Sequence, residues 1–484
     1  MGVPRTDLPS PRRCLQWPML PVALALAGAV TLWLPAFRFR IDAAECGSWP
    51  ALATGAGYAL AYVLAVALLS AAWLRALRAD WTLGRALVAG ALVHAVAMVA
   101  PPFASNDPLF YAAIGRSMAR FGASAATPLS SVLPPGDHFL ALLPPSWHGG
   151  TSPYGALFHQ LARVVALVGG DDLTLQLRLY QAINLIVLVA AAALAGRAFG
   201  ARAATLLLFA PIAIVDGTVN PHNDAWIALA VAAFALALSR RREVAGLASL
   251  AAALAIKLSA ALVLAFDLLR LALTPIAARL RASTVIAIGA AVAVAGVAAL
   301  VIAPHVWPQL GAFTALVGDP AESSPHFSRS WEGLPRALFT YVLHVPSVSW
   351  AIGLVFRAAS GVWILYAAYR AARDREPLVW AALALFVYYL QLHAFLQSWY
   401  LLPLLPLATQ LPQFATRSFR IFVACLAFYY ALSIPLDCDT RPLVIGAKEL
   451  AEAFLVVLPA WFTLLFAWRR HRGRASDGTS PRAA

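Results

Sequence analysis

The apolar positions of this chain run in long blocks separated by short clusters of arginine. Blocks of roughly 20 residues are what an α-helix needs to cross a hydrocarbon core. They fall at 18–35, 51–74, 85–103, 173–196, 203–219, 224–239, 283–303, 347–370, 377–397, 399–414, 419–436 and 446–468. The pattern predicts an all-α, polytopic membrane protein with about 12 full spans. One block breaks the alternation. Residues 244–270 lie between two arginine clusters that belong on the same side, which predicts a short re-entrant helix pair with Lys257 near its turn. Two polar stretches, 104–172 and 304–346, are long enough to be functional external loops, and amphipathic helices are expected in them. No soluble domain interrupts the chain, so residues 1–484 read as one integral membrane domain with a disordered cytoplasmic tail at 471–484.

Composition agrees with this. The chain is 61% hydrophobic and 12% charged, against about 25% charged in soluble domains. The net charge of +14 does not point to nucleic acid, because the basic residues sit in short clusters between apolar blocks. Those clusters put both termini on the cytoplasmic side of the inner (plasma) membrane. The first apolar block is too long for a cleaved leader and lacks a clear small-x-small site, so it reads as a retained helix. Cys14 is expected in the cytoplasm and Cys425 inside an apolar block. Cys46 and Cys438 fall on the opposite side, where a disulfide can form, although sequence does not bring them within bonding distance.

Candidate chemistry gathers at the non-cytoplasmic ends of the blocks. In "SNDPLFYAAIGRSMARF", Asn106 and Asp107 open a helix with Pro108 in its first turn. A helix cap explains them. A general base at the membrane–water boundary also explains Asp107, and the two roles are compatible. In "DGTVNPHNDAW", Asp216 lies within an apolar block, with His222, Asn223 and Asp224 at its outer end. A polar turn accounts for them, but ionisable groups at membrane depth are usually functional. Lys257 either snorkels to an interface or faces an anion in a cavity. "SSPHFSRSWEGLP" and "QLHAFLQSWYLLPLLPL" bring His326, Arg329, Trp331, His393, Gln397, Trp399 and Tyr400 to the same face. The aromatics suit an interfacial belt, and the His and Arg suit an anionic headgroup. No Walker A, GxGxxG, HExxH or zinc spacing occurs, and "DCD" at 437–439 reads as a chance DxD. Neither a metal nor a cofactor is demanded.

With these segments in this order, the chain resembles the GT-C superfamily of membrane glycosyltransferases. More closely, it is similar to the bacterial polyprenol-phosphate-mannose-dependent α-mannosyltransferases. The resemblance covers roughly 85–410 and rests on "NDPLFYAAIGRSMARFGASAATPL", "TSPYGALFHQLARVV", "VNPHNDAWIALAVAAFAL", "AGLASLAAALAIKLSAALVL" and "SWYLLPLLPLA". It implies transfer of a sugar from a polyprenyl-phosphate donor to a hydroxyl of a glycan or glycolipid on the non-cytoplasmic face. It also implies inversion at the anomeric carbon and an acidic residue of the first external loop as base, matched here by Asp107. On this reading Lys257, His326, Arg329 and His393 are the candidates for the donor phosphate. Asn106, Tyr111, His222, Asn223, Asp224, Trp399 and Tyr400 are the candidates for sugar and acceptor. Arg116 and Arg120 either pair within the Asp107 loop or face phospholipid headgroups, and the headgroups are the preferred reading. The family often has "NPY" where this chain has "ATP" at 126–128, and the sugar is open among mannose, glucose, galactose, arabinose and aminoarabinose. Besides substrates, the expected partners are membrane lipids.

Two other classes compete. A transporter or flippase for an amphipathic solute would also use broken helices and buried ions, but such proteins often show matched halves, and none is evident. An O-antigen-ligase-like enzyme would carry a larger, arginine-rich external loop.

Overall fold

The computed structural model describes residues 19–34, 49–125, 127–143, 145–149, 152–277, 280–286, 288–289, 331–392, 396–431 and 442–476. Among them there is no strand. The chain runs through α1 (Met19–Thr31), α2 (Trp49–Ala76), α3 (Leu83–Ala97), α4 (Asp107–Phe121), α5 (Ala156–Gly169), α6 (Leu173–Phe199) and α7 (Ala201–Leu208). It continues through α8 (Asp224–Ser239), α9 (Glu243–Leu254), α10 (Ala261–Leu273), α11 (Pro346–Asp374), α12 (Pro377–Val387), α13 (Gln413–Ala427) and α14 (Pro442–Ser476). Shorter turns lie between these helices.

Among the described residues, four helical segments are long and apolar enough to cross a membrane: Gly55–Ala76, Leu173–Phe199, Ser347–Asp374 and Leu450–Arg470. A fifth exists if Ala201–Leu208 and Ala213–Val219 count as one broken span. Shorter apolar helices, α1, α3, α8 and α9 among them, pack with these. This is an all-helical membrane protein. The helices approach closely because alanine lines their contacts: Ala25, Ala29, Ala65, Ala72, Ala86, Ala191, Ala192 and Ala195 have no exposed surface.

The described helices do not reach the count of about 12 by length and composition, because several blocks are interrupted. The block at 203–219 is bent by 68° between its halves, with Pro211 at the break and a π-helical turn over Ala213–Val219. The block at 399–414 is a 3-10 coil, Ser398–Gln410, in which Pro403 and Pro406 lack the N–H that an α-helix needs. α3 stops at Ala97, and α12 passes into a π turn, Tyr388–Leu392. Where a re-entrant pair is expected, at 244–270, the chain forms two short helices, α9 and α10, broken around Lys257. α14 runs to Ser476, into the segment expected to be a disordered tail. The middle of the 304–346 loop, most of the 283–303 block, Cys14, Cys46 and Cys438 lie outside the described residues.

The 104–172 loop has its own small core. Phe110, Tyr111, Ile114, Leu129, Phe139 and Phe158 are buried together, and the cluster continues into Tyr180 of α6 and Ile256 beside Lys257. α4 lies on α5 at Gly115, where a Cβ would come 2.3 Å from the Ala162 carbonyl. The loop is thus a packed cap seated on the helices.

Candidate functional site

The site is organised by the end of the π-helical turn and the irregular backbone after it, 216–223, held by side chains from elsewhere. Buried peptide groups outside a helix need partners, and α6 supplies them. Asn184 donates to the carbonyls of Gly217 (2.8 Å) and His222 (2.9 Å) and accepts from the Trp226 indole (3.0 Å). Gln181 donates to the carbonyls of Ala100 and Val219, both at 2.9 Å. Asn220 in turn accepts from the backbone N–H of Phe103 and Ala104, both at 2.9 Å. The segment that leads to Asp107 is therefore pinned to the one that carries His222. His94 fixes the bent pair from below, 2.6 Å from Thr218 Oγ1 and 2.9 Å from the Leu208 carbonyl.

Asp107 begins α4, and its side chain does not cap the helix. Asn106 is the N-cap residue and makes no side-chain cap bond. Instead, three groups meet Asp107 Oδ2: Tyr111 OH at 3.4 Å, Tyr154 OH at 3.3 Å and His222 Nδ1 at 3.2 Å. The carboxylate is oriented by several long contacts rather than locked by one. Oδ1 accepts no hydrogen bond among the described residues, and the side chain keeps 13% of its surface exposed. Burial pushes the Asp107 carboxyl up. The His222 hydrogen bond and charge, then Lys257 and the Tyr154 hydroxyl, pull it further down, so it lies below the usual range and is ionised at neutral pH. Burial first, and neighbouring groups including Asp107 after it, hold the phenols of Tyr111 and Tyr154 well above their ordinary values, so both remain donors.

Tyr154 links this carboxylate to the lysine. Its segment docks on the break between α9 and α10: Gly155 N–H donates to the Ile256 carbonyl (2.8 Å) and Leu157 N–H to that of Ala255 (2.9 Å). A Cβ on Gly155 would meet the Ala255 carbonyl oxygen at 2.2 Å, so only glycine permits this approach. Lys257, on extended backbone, reaches Asp224 Oδ2 at 2.7 Å and lies 4.6 Å over the Tyr400 ring. His222 stacks on Trp399 at 3.7 Å with the planes 12° apart. Beside these, His222 Nε2, both polar side-chain atoms of Asn223 and Asp224 Oδ1 are buried with no hydrogen-bond partner among the described residues. Each such atom costs about 1–3 kcal/mol. A folded chain carries only a few per 100 residues, and here four fall on three consecutive residues, the mark of a place that receives a polar ligand.

The structure thus brings Asp107, Tyr111, His222, Asn223, Asp224, Lys257, Trp399 and Tyr400 into one cluster. Asn106 is exposed beside it. His326, Arg329 and His393 lie outside the described residues. Lys257 is not a lone charge, since Asp224 pairs with it. Arg116 and Arg120 do not face headgroups: Arg116 bonds Asp137 (2.9 Å) and Asp171, and Arg120 bonds Asp171 (2.6 Å). Arg120 and Arg116 hold the Asp171 carboxyl down at about 2. Asp216 is turned away and accepts from Tyr430 (2.7 Å). Tyr154, Asn184, Gln181 and Asn220 are the residues that sequence reasoning did not single out. Tyr154 stands within the quoted "TSPYG", and Asn184 and Gln181 are amides inside an apolar block. No three His, Cys, Asp or Glu side chains among the described residues converge as metal ligands.

Two family models match the chain and place it among membrane glycosyltransferases of the GT-C type. One is described as alpha-(1->6)-mannopyranosyltransferase, N-terminal domain, over residues 20–273, and the other as glycosyltransferase family 87, over residues 152–398. Each spans more than half of the chain, which therefore belongs to this mannosyltransferase-like group of glycosyltransferases. Neither a curated protein nor a solved structure gives a match.

Proposed function

We propose that the protein transfers a hexose, mannose in the first instance, from a polyprenyl-phosphate carrier to a hydroxyl of a glycan or glycolipid. Transfer takes place on the non-cytoplasmic face of the inner (plasma) membrane, with inversion at the anomeric carbon and Asp107 as the base. One observation carries this reading: a carboxylate with Oδ2 tied by three donors and Oδ1 free, beside a row of unpaired polar atoms. The acceptor hydroxyl gives its proton to Oδ1 as its oxygen bonds to the anomeric carbon. The bond from that carbon to the phosphate oxygen breaks, and the electron pair leaves on the phosphate. A lipid phosphate is already a good leaving group and needs no proton, so one base suffices. Such a base contributes typically 10²–10⁴-fold. Lys257 is the cation assigned to the phosphate, Asn223 and Asp224 orient sugar hydroxyls, and Trp399 holds the His222 ring in place.

One observation favours a second assignment of the proton. His222 Nε2 is buried and unpaired while Nδ1 faces Asp107, the arrangement of an imidazole base oriented by a carboxylate. A pH profile separates the two.

The orientation proposed with this chemistry has about 12 spans in one domain, with 104–172 and 304–346 outside, both termini inside, and 471–484 as a cytoplasmic tail. Support comes from the alternation of the arginine clusters.

The test uses purified protein in lipid with radiolabelled polyprenyl-phosphate mannose and a membrane extract as acceptor source. Label transfer by wild type but not by Asp107→Asn is expected. Equal transfer by the variant would overturn the role of Asp107, and no transfer by wild type would overturn the donor.

A further inference from the structure

At the end of the molecule away from Asp107, a cavity of about 940 Å³ opens where several segments terminate. α6 separates the two ends. It begins beside Asp171 of the cap and finishes at Phe199 on the cavity wall, a rise of about 40 Å for its 27 residues. Four arginines face the cavity: Arg78 beyond α2, Arg202 in α7, and Arg417 and Arg420 in α13. Gln410 and Gln413 lie between them.

These guanidiniums differ from those that are paired with a carboxylate. Arg116, Arg120, Arg270, Arg336 and Arg370 each reach a carboxylate. None of the four cavity arginines makes an ion pair with a described residue. They also repel one another, since the charges of Arg202 and Arg78 both act on Arg420. Arg420 Nε is buried with no hydrogen-bond partner among the described residues. A buried cationic donor left unpaired among like charges is costly, and a multivalent anion removes that cost. The volume is in the range of small-ligand sites.

We propose that this cavity is a second binding site, specific for a phosphate-bearing anion of at least two charges. The paired, planar donors of arginine suit phosphate oxygens. The anion can come from a lipid headgroup or from a soluble phosphate compound, and the chemistry of recognition is shared. The proposal does not depend on the glycosyl-transfer reading.

The test uses the full chain in neutral phosphatidylcholine nanodiscs. In one arm, inorganic pyrophosphate is titrated and heat is measured. In the other, discs contain diphosphatidylglycerol, and lipid retained on the protein is counted by native mass spectrometry. Arg202→Gln/Arg417→Gln alters two exposed side chains with no described partner, and Arg417→Lys keeps the charge. Saturable binding of one equivalent in either arm is expected, at least tenfold weaker in the double Gln variant and unchanged in Asp107→Asn. Retention of the lipid alone assigns a headgroup, and binding of pyrophosphate in neutral discs assigns a soluble phosphate. The absence of saturable binding in both arms, or equal binding by the double Gln variant, overturns the proposal.

Discussion

On the proposed mechanism Asp107 divides its two oxygens between support and chemistry, and that division sets the expected response to substitution. Asp107→Asn keeps the shape and removes the charge, so transfer should fall by about 10² or more while thermal unfolding stays near wild type. Tyr154→Phe removes one of three donors to Oδ2. A hydrogen bond contributes about 0.5–1.5 kcal/mol, so turnover should fall about 2- to 10-fold. The Asp107 carboxyl lies below the usual range, so the base is fully available at neutral pH and is lost only as pH falls through that depressed value. Turnover should therefore be flat from about pH 8 to about pH 5. A decline centred where an imidazole ordinarily titrates would assign the proton to His222 instead. Asp107 was legible as a candidate because it opens a helix at the mouth of an apolar block, where a cap and a base both explain a carboxylate. Tyr154 was not, because a tyrosine at the start of an apolar helix is ordinary at a membrane interface, and its partner lies 47 residues away.

At the level of elements, the joints matter more than the helices. Gly155→Val drives a side chain into the Ala255 carbonyl and should separate α5 from the Lys257 turn. Destabilisation of about 1–3 kcal/mol is expected, read by thermal unfolding in lipid, with loss of transfer beyond what the stability change explains. The apolar blocks gave most helices correctly, including α8 over Asp224–Ser239, with the boundaries expected for the block at 224–239. The breaks inside blocks were less visible. Pro403 and Pro406 could have demoted 399–414 from a regular helix. By contrast, the bend at 209–212 is stabilised by His94, Asn184 and Gln181, which no local window contains. Lys257 was rightly placed at a turn, but its pairing with Asp224 is a tertiary fact.

For the whole molecule, the proposed orientation predicts which surfaces water-borne reagents reach. In a cysteine-free background, Ser130→Cys in the cap should react with an impermeant maleimide in intact cells, and Ser239→Cys beside the 240–242 arginines only after permeabilisation. The reverse pattern would invert the topology. At this scale the sequence supplies an expectation without contacts, because the positive-inside rule reads loops alone. The charge clusters could not tell that the four arginines at Arg78, Arg202, Arg417 and Arg420 converge on one cavity, since they come from three distant parts of the chain.

The cap on the 104–172 segment has one more consequence. Tyr111 and Tyr154, which hold the carboxylate, are themselves part of its core, and its backbone is tied to the floor at Gly155. Such a roof cannot lift without dismantling what it shelters. On the proposed reaction, traffic is then sideways: a lipid-borne donor enters between helices, and the acceptor comes over the rim. On that reading the two reactants use separate doors, and neither needs a moving part.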